Sequence, residues 1–364
     1  MKSTWPTEIA LLAELVATPS VSGSEEAVAR VAEDAARAWG EGLDVVRDAT
    51  GVKIAVRGAR PGPTLALVSH LDVVPPGDGW TRDPFTPSLE DGRLYGRGSG
   101  DAKASVAAML CAAHDVAARG GPATGRLLVL LGYGEETRDT SMPDVLASVG
   151  AIDAAVVGEP TNLHFAVAQR GLMMVDLVAR GDQRHAGYAE SNGASGGGFV
   201  NAAQVLARDL VALDRVARDR AHPVLGYPTI TPTMLEAGVG RNVTPPVARA
   251  VLDVRSTPAW PHPELADALR HALASEVIVT SDRLVPCETP PDSRLLAAAI
   301  HVRPEARTFG SPTCSDWVFL RDRDAIKCGP GTSRNSHTPD EWVDQAEVSA
   351  ARVFYARLAE HYLA

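Results

Sequence analysis

The sequence predicts an α/β fold in which a layer with parallel strands is split by a smaller βαββαβ insertion. Three observations carry this. Helix and strand signals alternate over the first 170 or so residues; the texture changes to a βαββαβ run from about Leu172 to Pro286; and the α/β texture then resumes to the end of the chain. The predicted boundaries are 1–171 with 287–364 for the α/β layer and 172–286 for the insertion.

The elements follow in order. Ile9, Leu12, Leu15 and Val16 keep helical spacing, and Thr18-Pro19 ends that helix. A second helix runs through SGSEEAVARVAEDAARAW, with Ser22 and Glu25 at capping-box spacing. Apolar runs at Thr64–Ser69, Leu127–Leu131 and Ala154–Val157 read as strands, with an alanine-rich helix, Ala104–Ala118, between the first two. In the insertion, LMMVDLVAR is a strand, and a glycine-rich loop containing GASGGG at 193–198 leads to a helix around Phe199–Leu213. PTITPTMLEAG and ARAVLDVRS read as two further strands. A helix near Pro263–Ala274 and a strand near Glu276–Thr280 complete a small open-faced sandwich. QAEVSAARVFYARLAEHYLA is the last helix.

The balance of 35 Lys+Arg against 45 Asp+Glu gives −10 without a basic run, which argues against nucleic acid or an anionic membrane surface as the main partner. No uninterrupted apolar stretch reaches the roughly 18 residues that span a bilayer. Glu8 and Glu14 interrupt the apolar start, so it reads as an amphipathic helix and not a signal peptide. Cys111, Cys287, Cys314 and Cys328 show no CxxC spacing, so neither a zinc knuckle nor a disulfide framework is indicated. A cytoplasmic protein with reduced thiols is the expectation.

Each strand-like run of the first layer ends in groups that can bind a metal: His70-Leu71-Asp72, Glu135-Glu136 and Gly158-Glu159. Open α/β sheets bind ligands at the carboxyl ends of their strands, so parallel strands would gather these groups on one edge. His70 and Asp72 lie two apart and point the same way on an extended backbone. One can bind metal while the carboxylate orients the imidazole. In YGRGSGDAKAS at 95–105, Gly96, Gly98 and Gly100 look like a phosphate loop. The fingerprint GxGxxG, however, needs glycine where Asp101 stands, and no Walker GK[ST] follows. Asp101 is favourable at a helix N-terminus on dipole grounds alone; the sharper reading is that it bridges two cations. Glu135 and Glu136 cannot both point at one metal from an extended backbone. One binds it, and the other takes a proton from a water whose pKa the metal lowers to about 7. His337, in KCGPGTSRNSHTPDEWV, is a fifth candidate ligand. Oxygen and nitrogen ligands without cysteine suit Zn, Co or Mn, and two ions with a shared carboxylate suit hydrolysis.

SHLDVVP, GRGSGDAK, GEE, GEPT and SHTPDEW, in this order and spacing, resemble the M20 family of co-catalytic metallohydrolases over essentially the whole chain. The resemblance implies a zinc-binding α/β domain interrupted by a ferredoxin-like lid that dimerises. It implies that His70 and Glu159 hold one metal and Glu136 and His337 the other, with Asp101 bridging, Glu135 as general base and Asp72 behind His70. It also implies that His185, in GDQRHAGYAE, reaches the partner subunit's site to stabilise the oxyanion. Asn242 and Arg255 would face substrate, and Thr313, Ser315 and Asp316, in GSPTCSDWVF, would lie near the substrate carboxylate. A guanidinium suits a carboxylate because it binds bidentately; a solvated edge-strand arginine accounts equally well for Arg255. Two departures stand out. The family's Asp-Met-Lys-Gly is Asp101-Ala102-Lys103-Ala104 here, and the SNGASGGGF loop lacks the common HxxxP form, with Asn201 as a candidate equivalent of the family's asparagine.

The implied reaction is hydrolysis of an amide beside a free carboxylate, with two divalent ions, zinc first and cobalt or manganese as alternatives. The sequence looks most like acetylornithine deacetylases, which points to N-acetylornithine or N-acetylcitrulline and to arginine biosynthesis. A dipeptidase, a carboxypeptidase or a succinyl-diaminopimelate desuccinylase is the alternative. The expected partners are a small N-acyl amino acid or short peptide and a second copy of the chain, with neither nucleic acid nor membrane. Two other classes compete: a nucleotide-dependent enzyme using Gly96–Gly100, and a binding or scaffold protein with a relic metal site.

Overall fold

A computed structural model describes residues 6–137, 139–188 and 199–364. The glycine-rich stretch 193–198 lies outside the described residues. In chain order the elements begin with α1 (Thr7–Ala17), α2 (Glu26–Ala38), β1 (Asp44–Asp48), β2 (Gly51–Arg57), β3 (Arg60–His70), β4 (Ser88–Glu90) and β5 (Arg93–Tyr95). They continue with α3 (Lys103–Ala118), β6 (Thr124–Gly132), α4 (Met142–Val149), β7 (Ala154–Val157) and β8 (Phe165–Gln169). Next come β9 (Leu172–Arg180), α5 (Ala202–Ala212), β10 (Thr229–Ala237), β11 (Val247–Arg255), α6 (His262–Ala272) and β12 (Glu276–Leu284). The chain closes with β13 (Cys287–Glu288), α7 (Arg294–Val302), β14 (Thr308–Ser311), β15 (Asp324–Lys327), β16 (Trp342–Asp344) and α8 (Gln345–Tyr362).

Two compact units result. The first comprises Met1–Val167, Glu288–Phe309 and Ser315–Ala364; the second comprises Ala168–Cys287 with Gly310–Cys314.

In the large sheet the strands run β1-β2-β6-β3-β7-β15-β8-β13, with β14 added on β8. β3 is parallel to β6 and to β7, and β15 is parallel to β7, while β1 and β2 are antiparallel additions. The carboxyl ends of β3, β6 and β7 therefore share one edge. These strands are buried because helices cover them: Leu65, Leu67, Leu127, Val129 and Val156 are in one core with Ile9, Leu12, Leu15 and Val16 of α1. α3 is buried along nearly its whole length, and its alanines let it lie close to the sheet. A Cβ on Gly158 would stand 2.4 Å from Met109 Cε and 2.9 Å from Ser105 Cβ, so the strand end that leads to Glu159 passes α3 this closely only as glycine.

Distant side chains shape two helix ends. Lys103 Nζ donates to the carbonyls of Leu15 (2.8 Å) and Thr18 (3.0 Å) at the end of α1, where Leu15 otherwise accepts only the long 3.3 Å bond from the Thr18 N–H. The capping box expected at Ser22 does not form. α2 begins at Glu26, and Ser22 Oγ donates instead to Asp72 Oδ2 at 2.7 Å. A charged tertiary acceptor wins over a local amide cap because hydrogen bonds to carboxylates are the stronger kind.

The second unit has strand order β10-β11-β9-β12, antiparallel throughout, with α5 between β9 and β10 and α6 between β11 and β12. This is a βαββαβ sandwich with its own core, in which Met173, Val175 and Leu177 of β9 are buried with Leu206 of α5 and Leu265 and Leu269 of α6. The edge strand β10 is exposed along almost its whole length, and its register slips between Pro232 and Met234.

Burial pushes the thiols of Cys111 and Cys328 up to about 12, which leaves almost no thiolate at neutral pH. In the folded protein near pH 8, neither thiol should react with Ellman's reagent, and both should react once guanidinium unfolds the chain. Rapid modification of either in the native state, located by peptide mass, would refute this packing.

Candidate metal centre

Asp72 organises the edge where β3 and β6 end. It is fully buried and accepts three donors: the Glu135 N–H at Oδ1 (3.1 Å), and the Glu136 N–H (3.1 Å) and Ser22 hydroxyl (2.7 Å) at Oδ2. Its Oδ1 also lies 3.4 Å from His70 Nδ1. Burial disfavours the charge, yet His70 and these donors outweigh it and hold the carboxyl at about 2. Asp72 thus does more than back His70: it fixes the turn in which Glu135 and Glu136 stand.

His70 Nδ1 is 3.0 Å from the Asp72 carbonyl, a bond that assigns its proton to Nδ1. Nε2 is then turned toward acids, 3.4 Å from Asp101 Oδ1 and 3.7 Å from Glu159 Oε1, and it is buried without a hydrogen-bond partner. Glu136 Oε1 is 2.9 Å from His337 Nε2, which is 3.7 Å from Asp101 Oδ2. Donor atoms of His70, Asp101 and Glu136 lie within 4.8 Å of one another. The structure brings the five residues named from sequence as ligands into one chain of short distances, with Asp101 in the middle. His337 adopts a left-handed φ of 63°, a conformation that costs energy in a non-glycine residue and persists only where its surroundings impose it.

The electrostatics are those of a site short of positive charge. Burial, with Asp101 beside it, pushes Glu159 up to about 8, and burial pushes Asp316 to about 7. Burial and then the charge of Glu159 raise Glu135 well above the usual carboxylate range. Burial opposes charge on His70, but Asp101 and Asp72 overcome it and raise the imidazole well above its ordinary value. His337 is raised by its bond to Glu136. Six carboxylates, of Asp72, Asp101, Glu135, Glu136, Glu159 and Asp316, share the two imidazoles in these interactions. An orphaned, buried imidazole nitrogen among oxygen donors fits a divalent cation of the Zn, Co or Mn class.

The remaining predicted residues are placed as follows. Within the second unit, His185 is exposed, and its Nδ1 accepts the Gly187 N–H at 3.1 Å, which leaves the ring proton of the neutral form on Nε2. Asn242 is also exposed, and its carbonyl accepts the Ala186 N–H at 2.7 Å. Arg255 is paired bidentately with Asp253 of its own strand, at 2.7 and 3.0 Å. Thr313 Oγ1 lies 3.1 Å from Ser311 Oγ. Asn201 caps α5, accepting the N–H groups of Ala203 and Gln204. Within the first unit, Ser315 Oγ accepts the Trp317 N–H at 3.4 Å and so caps the short turn Asp316–Leu320. Asp316 accepts the Thr140 hydroxyl at 3.1 Å, while its Oδ2 is buried without a partner. Sequence reasoning missed Ser22, Thr140 and Glu341. The first was assigned to a local cap, and the other two sit in polar turns that carry no periodic signal.

Residues 66–361 match the sequence profile described as "Peptidase family M20/M25/M40". The chain is similar to "Succinyl-diaminopimelate desuccinylase" of Xanthomonas euvesicatoria pv. vesicatoria, 30% identical with 97% of each chain covered. It is 31% identical to the protein of the same name from Cereibacter sphaeroides, covering 98% of this chain and 99% of that one. Among solved structures it resembles aminopeptidase PepT of Bacillus cereus, with a TM-score of 0.79, 17% identity and 98% of each chain covered. It also resembles the YXEP protein of Bacillus subtilis, described as a dinuclear metal binding peptidase, with a TM-score of 0.71, 16% identity, and 98% of this chain and 97% of that one covered. At such identities the structural likeness is one of fold.

Glu159 and Asp316 keep protons longer in the folded chain than in the unfolded one, as does His70. The stability of the metal-free protein should therefore fall as pH rises from the usual carboxylate value of about 4 toward about 7 for Asp316 and about 8 for Glu159. Above about 7, Lys103, which burial depresses to about 7, works in the opposite direction. Thermal unfolding of chelator-treated protein between about pH 5 and 7 should show a falling midpoint, with a shallower slope in Glu159→Gln. A midpoint that rises across this window would contradict the assignment.

Proposed function

Since the chain belongs to Peptidase family M20/M25/M40, we propose that it is a metal-dependent amidohydrolase acting on N-acyl amino acids, with succinyl as its preferred acyl group. One observation carries the reaction class: donor atoms of His70, Asp101 and Glu136 lie within 4.8 Å of one another, and Glu135, whose backbone N–H Asp72 accepts, precedes Glu136 in the chain. His70 and Glu159 would hold one divalent ion and Glu136 and His337 a second, with Asp101 between them. When bound, such ions supply Lewis acidity toward the scissile carbonyl and acidify water.

The protein's own groups do the rest. Glu135 takes a proton from the attacking water as the C–O bond forms, and returns it to the amide nitrogen as the C–N bond breaks, releasing a carboxylate and an amine. Asp72, through the Glu135 and Glu136 N–H groups, keeps base and ligand on separate tasks. His185, with its proton on Nε2, is the donor for the developing oxyanion. Asn242 and Arg255, with Thr313 and Ser315, are the contacts for substrate carboxylates; Asp253 holds the Arg255 fork in a fixed orientation.

This substrate reading differs from the one the sequence favoured. Both curated relatives described above carry the desuccinylase name, and neither is an acetylornithine deacetylase, so N-succinyl-diaminopimelate replaces N-acetylornithine as the first choice and the arginine-biosynthetic placement loses its support. The protein works as a homodimer. The free edge of β10, where Met234 and Leu235 are 67% and 64% exposed, is where a second copy would add its strand, and His185 would serve the partner's site. Among the described residues no helix is long and apolar enough to cross a membrane. Four free cysteines agree with a cytoplasmic location.

A panel of N-succinyl-diaminopimelate, N-acetylornithine, N-acetylcitrulline and dipeptides, assayed with Zn or Co and with chelator, tests the reading. The succinyl compound should lead by at least about tenfold in kcat/KM, a margin that one well-placed polar contact can supply. A better acetyl substrate would reverse the acyl assignment, and turnover unaffected by chelator would end the metal-dependent one. Glu135→Gln should lower kcat by about 10²–10⁴-fold with metal content retained; a wild-type rate would remove the base. Leu235→Glu should shift the sedimenting species from dimer to monomer, and an intact dimer would move the interface away from β10.

A further inference from the structure

The glycine-rich stretch 95–105 has the look of an anion-binding loop, yet the reaction proposed above gives it no phosphate to bind. The structure supplies its anion from within. Glu341, only 1% exposed, accepts the N–H groups of Gly100 and Asp101 at Oε1, each at 2.9 Å. At Oε2 it accepts the Gly98 N–H (3.1 Å) and Arg97 Nη1 (2.6 Å). The Glu341 carbonyl also accepts the Gly96 N–H at 2.9 Å. Converging backbone N–H groups of this kind form a nest for an anion. Gly98 has a φ of +82°, and a Cβ there would stand 2.5 Å from Val73 Cγ1, so this turn of the nest requires glycine. With these donors satisfied by the chain's own carboxylate, the nucleotide-binding reading of the loop has no site to use.

We propose that Glu341 is a positioning residue for the metal centre, an inference that rests on the metal-dependent reading above. It is four residues beyond His337 in the chain and takes a hydrogen bond from the backbone of Asp101 itself. It therefore ties together the two segments that carry the central carboxylate and one terminal imidazole. Both segments are polar turns that begin where the short β5–β16 ladder ends, with Trp342 opposite Tyr95, so beyond that point the Glu341 carboxylate is what joins them. The neighbouring Asp340 accepts the Thr81 N–H (3.0 Å) and hydroxyl (2.8 Å), and Arg97 donates onward to the Pro76 carbonyl (3.2 Å), so the 76–81 loop is fastened to the same knot. Glutamine in place of Glu341 would turn an amide NH₂ toward groups that are all donors. Asp101 and His337 would then lose their common reference, and outer groups of this kind tune metal sites by about 10–100-fold.

The test uses the full chain, freed of metal and titrated with Co(II), in wild type, Glu341→Gln and Glu341→Asp. Wild type should bind two Co(II) per chain with visible d–d absorption. Folded Glu341→Gln should bind the second ion about 10–100-fold more weakly with an altered spectrum, and kcat should fall about 10²-fold with KM within about threefold, the signature of misplaced groups. Glu341→Asp keeps the charge for Arg97 at shorter reach, should fall between the two, and carries the test if the glutamine variant does not fold. Hydrogen exchange on the metal-free wild type supplies an independent readout: the Gly98, Gly100 and Asp101 amides should be protected. Fast exchange there, or a folded variant with wild-type Co(II) affinity and spectrum, overturns the proposal. Wild type that binds no Co(II) overturns the metal reading on which it rests.

Discussion

A buried carboxylate that accepts consecutive backbone N–H groups imposes a definite shape on the chain, and Asp72 does this to Glu135 and Glu136. Both N–H vectors point back at one side chain, so the segment leaving β6 has to curl around Asp72 and cannot continue as strand. The two acidic side chains are thereby released from the alternation of an extended backbone. Ser22 and His70 occupy further sites on the same carboxylate, which connects the segment before α2, the end of β3 and the end of β6. The cost of burying one charge is offset by this number of donors, and low local dielectric makes each bond stronger than it would be in water.

The first unit contains two kinds of buried acid, and the contrast explains what each is for. Glu341 is saturated by Arg97 and backbone N–H groups, a closed arrangement in which every lone pair has a partner. Removing one member of such a pair costs about 3–5 kcal/mol because the other charge stays buried. Glu135, Glu159 and Asp316 lack such a shell of donors: burial and neighbouring carboxylates raise all three, and one Asp316 oxygen has no partner. Acids of the first kind hold structure, and those of the second kind wait for a cation, a proton or a substrate. Burial raises Glu341 as well, so scaffold and chemistry are separated by whether donors fill the carboxylate and not by the direction of its shift.

The second unit obeys a different economy. Its sheet is antiparallel, with helices over one face and a core of its own, so its fold does not depend on the carboxylate cluster. Three of its candidate site residues have local partners: Asn201 its own helix, Arg255 Asp253 two residues away, and His185 Gly187. Local engagement sets tautomer and orientation in advance.

Much of this was readable from the residues. Helical spacing located α1, alanine content located α3, apolar runs located β3, β6 and β7, and the order of strand and helix signals showed the βαββαβ insertion, because composition and periodicity record what each local segment can bury. The chemical types at the strand ends named a candidate ligand set, since His, Asp and Glu at the ends of several strands would converge if those strands ran parallel. Only the tertiary structure decided the rest. Parallel pairing of β3 with β6 and β7 is a long-range choice that no local period encodes, and it alone puts those ends on one edge. Ser22 had two possible acceptors, and the distant charge prevailed over the near amide. Glu341 was one glutamate in a polar turn until the fold laid it against N–H groups some 240 residues earlier in the chain. Sequence determines what each segment can bury and donate; which donor meets which acceptor is settled by packing, because a hydrogen bond across the fold depends on positions that no single segment contains.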